Sequence, residues 1–207
     1  MYVPAPFAAD AEAVDDLLTN HGAADLITAT ADGLVATLLP FVYDPESRAL
    51  RGHVARNNDQ WRRPVTGEAL VIVRGPDAYV SPAWYPSKAE HGRAVPTWNY
   101  ITAHVYGRLI VHDDPQWVEQ LVRDLTDRHE GGRPKRWSVD DAPPQFIAGQ
   151  LRAIVGIEIA ITRIEAKYKL SQNRGDADID GVIEGLTATG HEHIAKAVDS
   201  ARPVRST

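Results

Sequence analysis

The chain has 207 residues, enough for one generous domain with a core of its own. It contains no cysteine, which excludes a disulfide scaffold, thiolate nucleophiles, cysteine-held zinc and iron–sulfur clusters, and fits a reducing compartment. A formal net charge of -6 has the wrong sign for a protein that binds by neutralising nucleic-acid phosphates, and so counts against direct DNA binding.

From Met1 to Ala13 no basic segment precedes an apolar stretch, and no later run approaches the roughly 18 apolar residues of a membrane span, so a soluble cytoplasmic protein is expected. Strand character follows over Ala24 to Ala31, Leu34 to Tyr43 and Ala49 to Ala55. Asp32 and Gly33 join the first two as a type I′ hairpin signal, and Asp44 to Ser47 make a polar turn into the third, giving a β-meander. Asn57 to Trp61 supply cap residues and a short helix that Pro64 and Gly67 stop. Longer strands are expected over Ala69 to Ser81, interrupted at Gly75 and Pro76, and over Trp98 to His112. The segment Pro82 to Pro96 between them is too irregular for either period and is expected to be a loop.

Asp114 caps a helix with Pro115 in its first turn and Trp117, Leu121 and Leu125 on one face; Gly131 and Gly132 end it. Asp140 and Asp141 open another helix, with Phe146, Ile147, Leu151 and Ile154 apolar, which Gly156 is expected to close. Ile157, Ile159 and Ile161 then alternate as a strand that completes a barrel, and Ile164 breaks the phase, which predicts a bulge near Thr162 or Arg163. Past a loop after Arg174, Ile179 to Ser200 is expected to be a helix interrupted by Gly185 and Gly190, and Arg202 to Thr207 a disordered tail. The organisation expected is a barrel domain over 1–175 and a helical extension with its tail over 176–207.

Three segments carry the chemistry. The first is Gly52-His53-Val54-Ala55-Arg56-Asn57-Asn58-Asp59-Gln60-Trp61, a strand running into a helix start, where free backbone N–H groups and the Arg56 guanidinium suit a phosphate monoester. Arg56 also reads as a salt-bridged surface arginine, and Asn57 or Asn58 as an ordinary cap. The second comprises Ala78 to Tyr85 and Val95 to Tyr100, where Thr97, Trp98, Asn99 and Tyr100 alternate polar groups with ring faces, as a planar heteroaromatic ligand requires, or as core and interface packing does. The third, Tyr168 to Arg174, either completes a pocket or is a turn. Lys88 is a weaker phosphate candidate, and Arg62, Arg63, Arg133, Lys135 and Arg136 read as solvated. No side chain demands a catalytic role. The eight histidines, His53 and His104 among them, show no metal-ligand spacing, and no nucleophile elbow, phosphate-binding loop or dinucleotide fingerprint is present.

Taken in order, Met1-Tyr2-Val3-Pro4, Leu38-Leu39-Pro40, Gly52 to Asn58 with Gln60-Trp61, Gly75 to Pro82, Pro96 to Tyr100, His104-Val105-Tyr106-Gly107 and Lys169-Leu170-Ser171-Gln172-Asn173 resemble the PaiB family, described as FMN-binding negative transcriptional regulators. The match runs along nearly the whole chain. The resemblance implies an α+β, mainly β fold, an FMN-binding split β-barrel with peripheral helices, related to pyridoxamine-phosphate oxidases and flavin reductases. It also implies a homodimer with each flavin in the cleft between two barrels. Thr37, Leu38, Leu39 and Pro40 would run beneath the isoalloxazine, and His53, Val54, Ala55, Arg56, Asn57 and Asn58 would grip the ribityl chain and phosphate. Thr97, Trp98, Asn99, Tyr100, Lys169 and Gln172 would approach from the partner subunit or close the ring end. Three functions are open: a flavin-dependent sensor acting as a transcriptional repressor, an FMN-dependent oxidoreductase or flavin reductase using a nicotinamide or a small phenolic or heterocyclic substrate, or a flavin carrier or storage protein.

Overall fold

The computed structural model describes residues 1–203, so the tail expectation falls mostly on residues outside the described ones. In chain order the elements are α1 (Ala11–Asn20), β1 (Ala23–Thr30), β2 (Gly33–Asp44), β3 (Ala49–Ala55), β4 (Ala69–Val80), α2 (Ser87–His91), β5 (Thr97–His112), α3 (Pro115–Glu130), α4 (Pro144–Arg152), β6 (Ile154–Lys169), α5 (Asp176–Ala188) and α6 (Glu192–Ser200). The strands close into one barrel in the order β1-β2-β3-β6-β5-β4, and β1 pairs antiparallel with both β2 and β4. The last long strand, β6, enters between β3 and β5 and so completes the sheet, as its isoleucine alternation predicts.

Several local expectations need correction. The β1–β2 hairpin is not type I′, which requires positive φ at both central residues: Thr30 pairs with Gly33, so the turn falls on Ala31 and Asp32, neither of which has positive φ, and Gly33, at φ 116°, is the first residue of β2. Segment 82–96 is not all loop, since Pro82–Trp84 forms a 3-10 turn and α2 follows. Gly156 does not end a helix; α4 stops at Arg152, and Gly156 lies inside β6, where an added Cβ would fall 2.2 Å from the Trp117 ring. The C-terminal helix is two helices. Gly190, at φ 79°, separates α5 from α6, whereas Gly185 stays helical because Trp84 packs where its Cβ would be, 2.2 Å from the indole. Helix α1 was not expected; Asp10 starts it by accepting the Ala13 N–H at 2.8 Å.

The chain divides into two compact units. One comprises Met1–Val14, Arg74–Ala103 and the described residues from Glu165 onward; the other comprises Asp15–Val73 and His104–Ile164. In the second unit α3 lies on β2 and β3 and buries Val118, Leu121 and Leu125, each contributing about 2 kcal/mol. The Asp114 carboxylate caps its first turn, as expected. Along β6 the in-out alternation fails where Thr162 and Arg163 are both exposed. In the first unit α5 packs on α6 and on the Pro82–Trp84 turn.

One outward face of the second unit stays apolar. Leu34 and Leu38 are 77% and 65% exposed, Ala36 lies between them, and cross-strand pairing places Ile27 beside Ala36 and Leu70 beside Ile27. Asp25, between Leu38 and Ile72, is the one charge in this patch. Among the described residues no helix is long and apolar enough to cross a membrane.

Candidate functional site

The site begins where β2 and β3 part. Residues Ala23–Thr30 of β1 pair with Gly33–Pro40, but β3 pairs with β2 only over Phe41–Asp44; its other edge pairs with β6 along its whole length, Ala49–Ala55, so His53–Ala55 has β6 as its strand partner and not β2. From Leu34 to Pro40 the backbone edge of β2 away from β1 therefore has no strand partner among the described residues, which leaves N–H and C=O groups that a ligand could use. Gly52 marks the last close approach, since a Cβ there would lie 2.8 Å from the Pro40 carbonyl oxygen.

A polar network braces this opening. The buried Gln60 donates from Nε2 to Thr28 Oγ1 at 3.1 Å and to the carbonyls of Leu26 and Val35 at 3.3 Å, and accepts from Thr37 Oγ1 at 2.5 Å. Asn58 donates to Thr37 Oγ1 at 2.9 Å and accepts from the Gln60 N–H at 3.0 Å, capping the 3-10 turn Asp59–Arg62. The side chains of Thr37 and Asn58 are thus engaged with each other and with Gln60. Leu39 and Val54 are buried in the core, Leu38 and Ala55 are exposed, and Asn57 is exposed. Of this group, the β2 backbone edge, Asn57, Pro40 and His53 remain to meet a ligand; the N–H groups of Arg56 and Asn58, expected to be free for a phosphate, donate to the carbonyls of Ala153 and Ala55 at 2.8 Å.

Arg56 is tied down. Its guanidinium makes a two-pronged ion pair with Asp113 and donates to the carbonyls of Arg152 and Ile154. That pairing raises the Arg56 pKa and lowers that of Asp113, chiefly through the hydrogen bonds between them. His53 differs: burial pushes its imidazole below the ordinary histidine range, and Nδ1 is shielded from solvent without a hydrogen-bond partner.

The remaining candidates gather in the first unit. Tyr168 and Lys169 belong to β6 rather than following it. Lys169 Nζ donates to Thr97 Oγ1 and to the Trp98 carbonyl, the latter at 2.8 Å; burial foremost, then the charges of Lys167 and Arg174, lower its pKa. The Lys167 ammonium lies 5.5 Å from the Tyr100 ring centroid. Asn99 is buried and donates to Ser171 Oγ at 2.9 Å, holding Ser171 at φ 66° in the turn after β6. Gln172 closes that turn by donating to the Tyr168 carbonyl at 2.6 Å and accepting from Leu170 N–H at 2.8 Å. Trp98 is half exposed, with its indole N–H on Asp77 at 2.7 Å and its ring edge-on to Tyr79. Asn99 and Gln172 thus brace this unit, while Trp98, Tyr100 and Lys169 present ring faces and a cation.

Within the second unit, the edge of β2 beside His53, whose Nδ1 has no hydrogen-bond partner, offers groups that suit a flavin ring system. At the phosphoryl end the fit requires an anion to draw Arg56 from Asp113. Sequence reasoning missed Asp113, because it lies 57 residues from Arg56. It also missed the groups around His53, namely Val122, His129 and Trp137, which reach it only through the packing of α3.

The sequence profile of the family described as "Putative FMN-binding domain" matches residues 1–163. "Protease synthase and sporulation protein PAI 2" of Bacillus subtilis (strain 168) is 33% identical over 190 residues, covering 90% of this chain and 89% of that protein. Among solved structures, the flavocytochrome Anf3 from Azotobacter vinelandii aligns with a TM-score of 0.61 at 15% identity over 83% of this chain and 73% of that one. An FAD and heme binding protein from Mycobacterium smegmatis aligns with a TM-score of 0.58 at 20% identity over 83% and 77%. The two structural likenesses speak to the fold, a flavoprotein split barrel. Profile and relative each cover most of the chain, and together they establish that it belongs to the PaiB-type family of FMN-binding split-barrel proteins, with FMN as its cofactor.

Proposed function

We propose that the protein is a cytoplasmic homodimer in which FMN serves as a sensor, and that it lowers transcription of its target genes through a partner protein rather than by contacting DNA. The observation that carries this reading is the parting of β2 from β3 beside the apolar face of Leu34, Ala36 and Leu38. A second copy on that face would cover it and flank the open strand edge. The edge of β2 from Thr37 to Pro40 would meet the ring system, and Arg56, Asn57 and the turn at Asn58 the phosphoryl end. Lys169, Tyr100 and Trp98 of a partner copy would contact the ligand. FMN, when bound, supplies one- and two-electron chemistry; the chain's residues bind it, orient it and exclude water. The net charge of -6 favours output through a protein partner.

A second reading, an FMN-dependent oxidoreductase or flavin reductase with a nicotinamide or other small electron donor, draws support from the sheltered His53. Anaerobic mixing of the FMN-loaded protein with NADH or NADPH separates the two. Bleaching and reoxidation over many turnovers with a small acceptor identify an enzyme, whereas a single slow reduction fits a sensor. A protein that shows no flavin spectrum after incubation with FMN sinks both. Salt-dependent binding to promoter DNA would replace the partner-protein step with direct contact.

A further inference from the structure

Beside the parting strands, Pro40 and His53 form one wall of a recess of about 300 Å3 whose other wall is α3 and Trp137, with Val122, Leu125 and His129 among its lining. We infer that this recess binds a small neutral aromatic compound carrying a carbonyl-type acceptor, seated against Trp137 and hydrogen-bonded by His53. In the sensor reading that compound is the signal, and in the enzyme reading the substrate. The inference rests on FMN lying along β2, which places the recess beside the flavin.

Charge and polarity select the ligand class. No lysine or arginine lines the recess, so nothing there neutralises a phosphate or carboxylate. The polar groups at its rim are mostly spent. Thr126 donates its hydroxyl to the Val122 carbonyl at 2.8 Å, and Glu130 accepts the backbone N–H of Trp137 at 3.2 Å and pairs with Arg133. The imidazoles of His53 and His129 remain. His53 has its Nδ1 shielded without a partner, so Nε2 is the nitrogen that can meet a ligand, and burial disfavours the charged ring; with the proton on Nε2 the neutral imidazole is a donor. A neutral donor among apolar walls pairs best with a neutral acceptor. Trp137 is 44% exposed, and a planar ring stacked on it would remove apolar surface from water. Size sets the upper limit: 300 Å3 lies at the lower end of the ~300–1,000 Å3 range of ligand pockets and suits one or two fused rings.

The test titrates chromone, a bicyclic aromatic ketone, and chroman, which lacks the carbonyl, into the full chain by calorimetry, with and without FMN. The expected result is saturable one-to-one binding of chromone about fivefold tighter than chroman, the value of one hydrogen bond. That preference disappears in His53→Phe, and both compounds weaken in Trp137→Leu; thermal melts confirm that the variants fold. Three results overturn the inference: no saturable binding, an undiminished chromone preference in His53→Phe, or displacement of chromone by FMN one for one. Flavin fluorescence in the same samples reports the cofactor separately. Chromone binding without FMN binding upholds the recess and removes the flavin reading; FMN binding without chromone binding does the reverse.

Discussion

The guanidinium of Arg56 grips the carboxylate of Asp113 with two prongs, Nη1 on Oδ2 at 3.0 Å and Nη2 on Oδ1 at 2.5 Å, while Nε and Nη2 also donate to the carbonyls of Arg152 and Ile154 at 2.7 and 3.1 Å. A phosphoryl group must therefore compete with an existing carboxylate for this fork. If Arg56 is the phosphate counter-charge, Asp113→Asn tightens FMN severalfold and Arg56→Ala weakens it about tenfold, while riboflavin, which has no phosphate, responds to neither. Flavin fluorescence titrations read both ligands. Equal responses to FMN and riboflavin would return Arg56 to a purely structural role.

His21 gives the fold a pH dependence of fixed sign. Its Nδ1 lies 2.6 Å from the Leu18 carbonyl, its Nε2 is shielded without a partner, and burial foremost lowers its pKa from 6.5. Below pH 6.5 the unfolded chain takes up a proton that the folded chain resists, so stability is full above that pH and falls as pH drops from 7 towards 5. His53, lowered by burial as well, acts in the same direction. Thermal melts across this range should show a shallower decline for His21→Gln than for wild type. Parallel declines would remove His21 as the cause.

Two helical glycines should respond oppositely to alanine. At Gly181 in α5 a Cβ would lie 2.0 Å from the Trp84 carbonyl oxygen, a backbone atom that cannot rotate away, so Gly181→Ala should cost roughly 1–3 kcal/mol despite better helix propensity. At Gly149 in α4 the nearest atom is the end of the Arg152 side chain at 3.9 Å, and Gly149→Ala should stabilise by about 0.5–1 kcal/mol. Denaturant unfolding measures both, and a stabilising Gly181→Ala would mean that Trp84 does not occupy this place on the helix.

The exposed pair Leu34 and Leu38 tests the dimer. The double variant Leu34→Glu, Leu38→Glu places charges on the face proposed to meet a second copy, with both positions already open in one chain. Light scattering at micromolar concentration should find a dimer for wild type and a monomer for the variant, with thermal stability of the subunit retained. A variant that keeps the wild-type mass moves the interface to another face.

How much of this was legible in the sequence is clear from particular residues. Alternation and turn residues placed β1, β2 and β3 within a residue or two, because a strand with one buried face repeats every two residues. Asp114 with Pro115 announced α3, because capping is satisfied within one turn of chain. Short motifs in a fixed order along the chain pointed to the family. What failed was reading glycine as punctuation. Gly156 sits inside a strand and Gly185 inside a helix because Trp117 and Trp84, far away in sequence, pack against them. The same holds for the site. Residue types in Gly52 to Trp61 named the chemistry, but the fold decided that Thr37 and Asn58 brace one another, that Arg56 faces Asp113, and that His53 shares a recess with Trp137. Local sequence determines backbone preference and periodicity, which depend on neighbours a few residues away. Which polar group meets which partner is set by contacts between distant segments, and those exist only once the barrel has closed.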